Sequence, residues 1–172
     1  MKKINIKTLI HTALTAEAKP ITGYFRLKCI CRRPFNIYIK DDIALIVSGV
    51  GAQKSKEALK YALERFSPQK AINIGIAGCC DKNIKIGSLF CTTHKNLTVP
   101  YASLCTLTKP ATNMQGISSL LVDMESEAFL EIMDMERYIF KIVSDYLEDR
   151  NFSKAEVGAL LQKSIPLWSR YV

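Results

Sequence analysis

Ser118-Ser-Leu-Leu-Val-Asp-Met-Glu-Ser126 and Phe140-Lys-Ile-Val-Ser-Asp145 decide the fold, because each is an apolar run of strand character that ends in carboxylates. In α/β proteins, ligands bind at the carboxyl ends of the strands. A carboxylate at such an end lies on the rim of a site rather than in the core, where its charge would be costly. Together with Glu17 near the start of the chain, the two endings predict an acid/base site.

Strands and helices alternate along the rest of the chain. Apolar runs predict strands over 4–14, 27–31, 36–39, 43–47, 71–76, 87–93, 102–108, 120–124 and 139–143. Helical spacing and capping residues predict helices that open near Thr15 and that cover 53–66, 125–133 and 153–171, with Pro68 stopping the second of them. This alternation predicts an α/β domain around a mostly parallel or mixed sheet.

Length and composition are those of an ordinary globular domain. The chain has 172 residues, of which 48% are hydrophobic and 23% charged, and this fits one domain. No apolar run approaches the roughly 20 residues that a membrane span needs. The first residues read as a strand rather than a signal peptide, so we expect a soluble, cytoplasmic protein with no membrane partner.

The formal net charge of +8 raises the question of a nucleic-acid partner. The lysines and arginines are scattered, however, from Lys2 to Arg170, and their densest group is at positions 26, 28, 32 and 33. A solvated basic face is the favoured interpretation, so nucleic acid is not an expected partner. A partner that carries phosphate remains open.

Cysteine and histidine give no sign of a metal centre. The six cysteines lack the CxxC pairs of a structural zinc site, and they are predicted to be reduced and structural. His11 and His94 are too few for a metal cluster or a histidine-centred triad. His11 lies inside an apolar strand and is predicted to be a core histidine with satisfied hydrogen bonds. We therefore expect no metal and no cofactor.

Two glycine segments, Ser48-Gly-Val-Gly51 and Gly75-Ile-Ala-Gly78, also follow predicted strands. Glycine there permits a positive φ or a close approach of the backbone to a ligand. Neither segment matches the phosphate-binding loop or the dinucleotide-binding loop. The carboxylates have structural explanations of their own, because acids favour helix N-termini and turns. Their shared setting, at strand ends followed by helices, favours a site.

Five segments, taken in order, resemble the nucleoside phosphorylase/nucleosidase superfamily. They are Ala13-Leu-Thr-Ala-Glu17, Val47-Ser-Gly-Val-Gly51, Asn73-Ile-Gly-Ile-Ala-Gly78, Val122-Asp-Met-Glu-Ser126 and Val143-Ser-Asp145. The most similar branch is the nucleosidases for methylthioadenosine/S-adenosylhomocysteine, with futalosine hydrolase. The resemblance implies a single domain over 1–172, a three-layer α/β sandwich around a mixed, mostly parallel twisted sheet. It also implies a nucleoside ligand and assembly into dimers or larger homo-oligomers.

The resemblance further implies a role for each site residue. Asp145 matches the aspartate that donates a proton to N7 of the purine, and Glu17 matches the glutamate that activates the attacking water. Glu125 matches the glutamate that binds the ribose hydroxyls, and Met124 the methionine that packs under the sugar. The segment that would lie along the base and ribose is Ile76, Ala77 and Gly78. Asp145 can act as an acid only in a sheltered pocket that favours its protonated form.

Two departures from the family pattern keep alternatives open. Asn73 and Ile76 stand where phosphate-using members carry an arginine and a hydroxyl, which favours water over phosphate as the nucleophile. Between 87–90 and 102–105 only a short connection remains, where members usually have a longer excursion over the 5′ side. This predicts a more open and wetter pocket. The expected function is hydrolysis of a nucleoside, and the alternatives are a phosphorylase and a shortened, non-catalytic binding or regulatory member.

Overall fold

A mixed sheet runs through the part of the chain that the computed structural model describes, residues 2–148 and 152–172. Its strands are β1 (Ile4–Thr12), β2 (Lys28–Cys31), β3 (Asn36–Lys40), β4 (Ile43–Val47), β5 (Phe66–Cys79), β6 (Leu89–Cys91), β7 (Leu104–Thr106), β8 (Leu121–Asp123) and β9 (Glu136–Asp145). The helices are α1 (Thr15–Tyr24), α2 (Ala52–Arg65), α3 (Ser126–Ile132) and α4 (Lys154–Trp168), and a 3₁₀ turn (Ser169–Tyr171) follows α4.

The centre of the sheet is parallel, and antiparallel pairs join it to the strands on either side. The strand order is β2-β3-β4-β1-β5-β8-β7, and β9 pairs with both β5 and β6. Strands β4, β1, β5 and β9 are parallel neighbours, so that Ile10 of β1 lies between Leu45 of β4 and Ile72 of β5. The carboxyl ends of these strands therefore meet at one edge of the sheet, which is where an α/β protein binds its ligands.

Helices cover both faces of the sheet and make three layers. Helices α1 and α4 pack on one face, where Ile21, Leu161 and Trp168 are completely buried with the strands they cover. Helices α2 and α3 pack on the other face, where Leu59 and Phe129 are completely buried. Burying each such side chain stabilises the fold by about 1.5–3 kcal/mol. The predicted fold class is confirmed.

The structure corrects the bounds of several predicted elements. Strand β5 begins at Phe66 instead of Ala71, directly after the helix, and it contains Pro68. The sheet tolerates this proline because β5 pairs there only with β1, since its pairing with β9 begins at Lys70. Strands β6 and β7 have three residues each and are shorter than predicted. The capping box of Ser153 and Glu156 at the start of α4 is confirmed.

Two further findings bear on the expectations from composition. In the described residues, no helix combines the length and the apolar character that crossing a bilayer requires. The six cysteines are free, and five of them are buried or partly buried. Cys29 is exposed, like its neighbours Lys28 and Ile30 in β2, which is an edge strand of the sheet. The prediction that every cysteine packs structurally is therefore wrong for Cys29.

Candidate functional site

A cavity of about 340 Å³ opens at the carboxyl ends of β1, β5, β8 and β9. The structure brings together at this cavity every residue that the sequence predicted for the site. These residues are Glu17, Ile76, Ala77, Gly78, Met124, Glu125 and Asp145. They come from four separated segments of the chain, so their meeting follows from the pairing of β1, β8 and β9 with β5 and not from their spacing in sequence.

Glu17 lies in the first turn of α1 with its side chain almost completely buried. Its Oε2 accepts hydrogen bonds from the backbone N–H groups of Ala13 (3.0 Å) and Leu14 (2.9 Å). Its Oε1 accepts a third from the N–H of Ile76 in β5, at 3.0 Å. Burial raises the pKa of Glu17 to about 7, against the effect of the backbone donors and of the Lys141 charge. Glu17 is thus a fixed carboxyl group that titrates near neutral pH.

The glycines of β5 matter because they have no side chain, and not because they adopt a positive φ. A Cβ on Gly75 would lie 2.8 Å from Glu17 Oε1, so only glycine lets that carboxyl group rest on the strand. A Cβ on Gly78 would collide with the Leu147 side chain and lie 3.4 Å from Asp145 Oδ1. Positive φ angles occur instead in the other glycine segment, at Gly49 (91°) and Gly51 (103°).

Glu125 joins two helix N-termini beside the cavity. It is the N-cap residue of α3, is 7% exposed, and its Oε1 accepts a hydrogen bond of 2.8 Å from the N–H of Gly51, the N-cap residue of α2. This hydrogen bond occupies Oε1, so Oε2 is the oxygen that can accept from a ligand. Met124 precedes it and lines the same cavity, half-buried.

Asp145 ends β9 on the opposite side of β5 from Glu17. Its Oδ1 accepts from the N–H of Leu147 at 2.8 Å, and its Oδ2 lies 2.6 Å from the hydroxyl of Ser144. The Ser144 hydroxyl is also 3.1 Å from the carbonyl of Ala77. When Asp145 is ionised, Ser144 can donate to it. When Asp145 is protonated, it can donate to Ser144, which then donates to Ala77. The surroundings therefore accept both protonation states of the aspartate.

A buried ion pair lies at the cavity, with Asp123 in the lining, and the sequence did not predict it. Lys141 Nζ is 2.7 Å from Asp123 Oδ2, and both side chains are at most 2% exposed. Asp123 also accepts from the hydroxyl of Thr106 (2.8 Å) and from the N–H (3.0 Å) and hydroxyl of Ser126. A signal for it was available, since a lysine inside the apolar run of β9 requires a buried partner.

Each member of this pair keeps the other charged. Burial acts to lower the pKa of Lys141, but the charges of Asp123 and Glu125 and the hydrogen bond to Asp123 outweigh it, so that pKa lies above its ordinary value. Burial acts to raise the pKa of Asp123, but Lys141 and the hydroxyl donors outweigh it, so that pKa lies below its ordinary value. Lys141 therefore carries a positive charge that acts on Glu17 and Glu125, although the negative charge of Asp123 offsets it.

His11 is a neutral member of a buried polar network, as predicted for a core histidine. Asn73 donates to Nδ1 of His11 at 2.8 Å, which leaves the proton on Nε2 to bond Ser48 at 2.9 Å. Burial, helped by the charge of Lys141, lowers the pKa of His11 to about 3. Asn73 lies 3.5 Å from the Ser126 hydroxyl and so links this network to Asp123. His11 does not reach the cavity lining, and its network supports the site from below.

Apolar side chains from two other segments wall the cavity. Pro110 and Ala111 come from the stretch after β7, and Leu147 and Phe152 come from the stretch between β9 and α4. Leu147 is 5% exposed and adopts a φ of 59° next to Asp145. These groups give Asp145 partial shelter although the connection between β6 and β7 is short. The more open 5′ side remains a prediction.

Within the described residues, no cluster of three or more histidine, cysteine, aspartate or glutamate side chains is arranged to hold a metal ion. The carboxylates of the cavity are instead occupied by backbone N–H groups, hydroxyls and Lys141. The chemistry that such an arrangement offers directly is proton transfer and hydrogen bonding to a polar ligand.

Glu17 should make the protein less stable as the pH rises from about 4.5 to 7. Its pKa is 4.5 in the unfolded chain and about 7 in the fold, so the folded protein holds the extra proton and its advantage is lost as the pH rises through this window. The loss should approach about 3 kcal/mol at roughly 1.4 kcal/mol per pH unit. Denaturant unfolding gives the free energy of unfolding of the protein and of its Glu17→Gln variant between pH 4.5 and 8. The loss appears as a change with pH in the difference between these two free energies.

Glu64→Gln is the matched control for this measurement, because Glu64 is an exposed glutamate on α2. The difference between the parent and this control should stay constant across the same pH range. A parent and a Glu17→Gln variant whose curves run parallel from pH 4.5 to 8 would contradict the assigned titration.

Comparisons with known proteins identify the fold. No family model matches the chain, and no curated protein matches it. Among solved structures, a 5′-methylthioadenosine/S-adenosylhomocysteine nucleosidase from Neisseria meningitidis, in complex with methylthio-immucillin-A, matches with a TM-score of 0.79 at 15% identity, covering 96% of this chain and 99% of that one. An MTAN from Chlamydia trachomatis bound to adenine matches with a TM-score of 0.73 at 22% identity, covering 97% and 100%.

The native futalosine hydrolase of Helicobacter pylori strain 26695 matches with a TM-score of 0.71 at 15% identity, covering 96% of this chain and 95% of the other. These three matches extend over nearly the whole length of both partners, and they agree with the resemblance found in the five sequence segments. The chain therefore has the fold of the nucleoside phosphorylase/nucleosidase superfamily.

Proposed function

We propose that this protein is a nucleosidase, which hydrolyses the N-glycosidic bond of a purine nucleoside to free base and sugar. The observation that carries the proposal is the meeting of Glu17, Glu125 and Asp145 at one cavity, each held by hydrogen bonds at a strand or helix end. The solved structures of the same fold support it, because they include nucleosidases with adenine or methylthio-immucillin-A bound.

In the proposed reaction, Asp145 protonates N7 of the purine while the bond between C1′ and N9 breaks. The base then leaves as a neutral molecule, and positive charge develops on the sugar in an oxocarbenium-like transition state. Water attacks C1′ and gives its proton to Glu17, which must be ionised at that moment. Glu125 accepts hydrogen bonds from the ribose hydroxyls through its remaining oxygen, and Met124 packs under the sugar.

The transition state also gains from the charges of the cavity. The carboxylates of Glu17 and Glu125 lie where positive charge develops on the sugar, and fixed charges in a site with little water stabilise such states strongly. The charge of Lys141 acts to lower the pKa of Glu17 and so favours its ionised form, although burial raises that pKa overall. Ile76, Ala77 and Gly78 offer a flat backbone surface for the base and ribose.

Water is favoured over phosphate as the nucleophile. The lining of the cavity includes five acidic residues, and the neighbouring buried cation, Lys141, is already paired with one of them, Asp123, at 2.7 Å. Asn73, which stands where phosphate-using members carry a cation, bonds His11 at 2.8 Å within the core. A phosphate dianion would enter a field of like charge, because the described lining of this cavity includes no lysine or arginine.

The test is to incubate the purified protein with a panel of purine nucleosides, with and without phosphate, and to measure free base. We expect release without phosphate, faster at pH 8 than at pH 5.5, because Glu17 is ionised only above its pKa of about 7. Release that requires phosphate would support a phosphorylase instead. Binding without release would support a non-catalytic member of the fold family. Homo-oligomeric assembly and a cytoplasmic location stay predictions.

A further inference from the structure

A groove of about 820 Å³ runs between α1 and α4, and we call it the helical groove. Its lining comes from these two helices alone. The described linings of the groove and of the candidate site have no residue in common. The proposed reaction therefore gives this groove no role.

Helices α1 and α4 lie side by side and run in the same direction. Near their starts, the carbonyl oxygen of Ala16 is 3.7 Å from the place that a Cβ on Gly158 would take. Near their ends, the ring centroid of Phe25, the C-cap residue of α1, is 6.2 Å from that of Trp168. Between these two contacts α1 rises by about 14 Å, which is two to three turns of a helix. The groove is thus long enough for a third helix of that length.

Missing side chains make the floor of the groove deep. A Cβ on Gly23 would meet no atom within 4 Å, and one on Gly158 would meet only the Ala16 carbonyl, at 3.7 Å. Alanine would therefore fit at Gly158, which lies inside α4, where glycine is the less stable of the two residues. The absent methyl group costs helix stability and keeps the floor open. Pro20 and the ring of Tyr24, which is 52% exposed, add apolar surface beside it.

The rim of the groove is positively charged. Lys19 of α1 and Lys154 of α4 are exposed residues of its lining, and the described lining includes no aspartate or glutamate. In the part of the chain that the structure describes, neither lysine forms an ion pair with a carboxylate. An apolar floor between two ammonium groups is complementary to a helix with an apolar stripe and acidic side chains on either side of it.

We propose that the helical groove is a docking site for an acidic amphipathic helix of a partner protein. The apolar stripe of that helix lies on the glycine floor and against Pro20 and Tyr24, and its carboxylates pair with Lys19 and Lys154. Because the groove spans two to three turns, the interface is at the small end of protein–protein interfaces, and the complex is transient. The proposal makes no use of the candidate site, so it stands or falls independently of the proposed function.

Charge and shape favour this partner over two other occupants. In a symmetric contact with a second copy of the chain, the same patch meets itself, so Lys19 and Lys154 would face the lysines of the other copy and repel them. A bilayer with anionic lipids would attract the lysines. Its flat surface would not reach the floor at Gly158, however, because the floor lies between the two helices.

The probe is a fluorescein-labelled helical peptide of 18 residues, with leucines at i, i+3, i+4 and i+7 and glutamates beside them. Two companion peptides carry glutamine or lysine in place of the glutamates, and fluorescence anisotropy with the full chain measures their binding. We expect a dissociation constant on the order of 10 µM for the acidic peptide, about tenfold weaker binding of the glutamine peptide, and weaker binding still of the lysine peptide. The difference between the acidic and the glutamine peptide should shrink in 0.5 M salt, because exposed charges are screened.

The variant Lys19→Gln/Lys154→Gln should bind the acidic and the glutamine peptide equally well. Its matched control is Lys60→Gln/Lys85→Gln, which removes the same charge from exposed residues outside the groove and should keep the full difference between the peptides. Equal behaviour of the two double variants, or equal affinities of the three peptides for the parent, would overturn the proposal.

A second variant tests the floor. A helical side chain covers the turn that precedes it, so the ring in Gln162→Trp should cover the floor at Gly158 and weaken the acidic peptide about tenfold. Gln53→Trp is the control, because it makes the same exchange at an exposed position of α2, outside the groove lining, and should leave the affinity unchanged. The thermal midpoints of both variants should stay close to that of the parent, since both exchanged residues are exposed.

The two other occupants have signatures of their own. Binding to phosphatidylglycerol vesicles that is lost in Lys19→Gln/Lys154→Gln, without binding of the acidic peptide, would overturn the proposal in favour of a lipid surface. A dimer in analytical ultracentrifugation that dissociates in Gln162→Trp but not in Gln53→Trp would overturn it in favour of a second copy of the chain.

Discussion

Asp145→Asn is expected to lower the turnover number for base release by about 10²- to 10⁴-fold, because asparagine has no proton to give to N7 of the purine. The replacement suits the structure. The amide oxygen still accepts from the N–H of Leu147, and the amide nitrogen can donate to the Ser144 hydroxyl, which then donates to the Ala77 carbonyl. Stability and nucleoside affinity should therefore change little, so that the loss falls on the chemical step.

Single-turnover assays of base release measure this loss, together with the nucleoside dissociation constant and the thermal midpoint of the variant. Asp134→Asn is the control, because Asp134 is an exposed aspartate just before β9 and the change removes the same charge. An unchanged turnover number in Asp145→Asn would end the assignment of Asp145 as the acid. A variant that binds nucleoside as tightly as the parent but does not release base would agree with it.

The residues of the candidate site could be predicted because each lies near the end of a strand. Strand ends can be recognised in the sequence, since an apolar run stops there. The apolar runs before Glu125 and Asp145 mark β8 and β9. Strand β9 runs parallel to β5 and β8 runs antiparallel to it, and both end beside the carboxyl end of β5. The same reasoning reached the fold class, since alternation of strands and helices leaves few arrangements.

The supporting groups could not be predicted in the same way, because they depend on contacts between elements. Gly75 matters because the Glu17 carboxyl group rests against it, and nothing in the segment from 73 to 78 shows this. A second cavity, at the carboxyl ends of β1 and β4, brings Arg32 from one connection together with Lys54 from a helix. Strand β5 begins before Pro68, and it can contain this proline because β9 does not pair with β5 until Lys70. The sequence of β5 alone does not show where β9 begins to pair.

For Lys141, the sequence predicts that a buried counter-charge is needed, but it does not predict which acid supplies it. A charged residue inside a buried strand needs a counter-charge, and the apolar neighbours of Lys141 in the sequence show that its strand is buried. Several acids compete for that role in the sequence, among them Glu17, Asp123 and Glu125. The structure selects Asp123, at 2.7 Å.

Lys141→Met is expected to lower the free energy of unfolding by about 3–5 kcal/mol at neutral pH, because it leaves Asp123 buried without its cation. Methionine fills most of the space of the lysine stem, so the loss reports the charge more than a cavity. Asp123→Asn should cost a similar amount by leaving Lys141 unpaired. The double variant Lys141→Met/Asp123→Asn should cost less than the sum of the two, with a coupling energy of about 2 kcal/mol or more.

Denaturant unfolding of the four proteins in this cycle measures the coupling energy, and the exposed pair of Lys82 and Glu148 supplies its control. Their Nζ–Oε1 distance is 2.9 Å, close to that of the buried pair, but the side chains are 65% and 59% exposed. The same cycle on Lys82→Met and Glu148→Gln should give less than about 1 kcal/mol, because water screens exposed charges. Equal coupling energies for the buried and the exposed pair would mean that burial does not strengthen the interaction of Lys141 with Asp123.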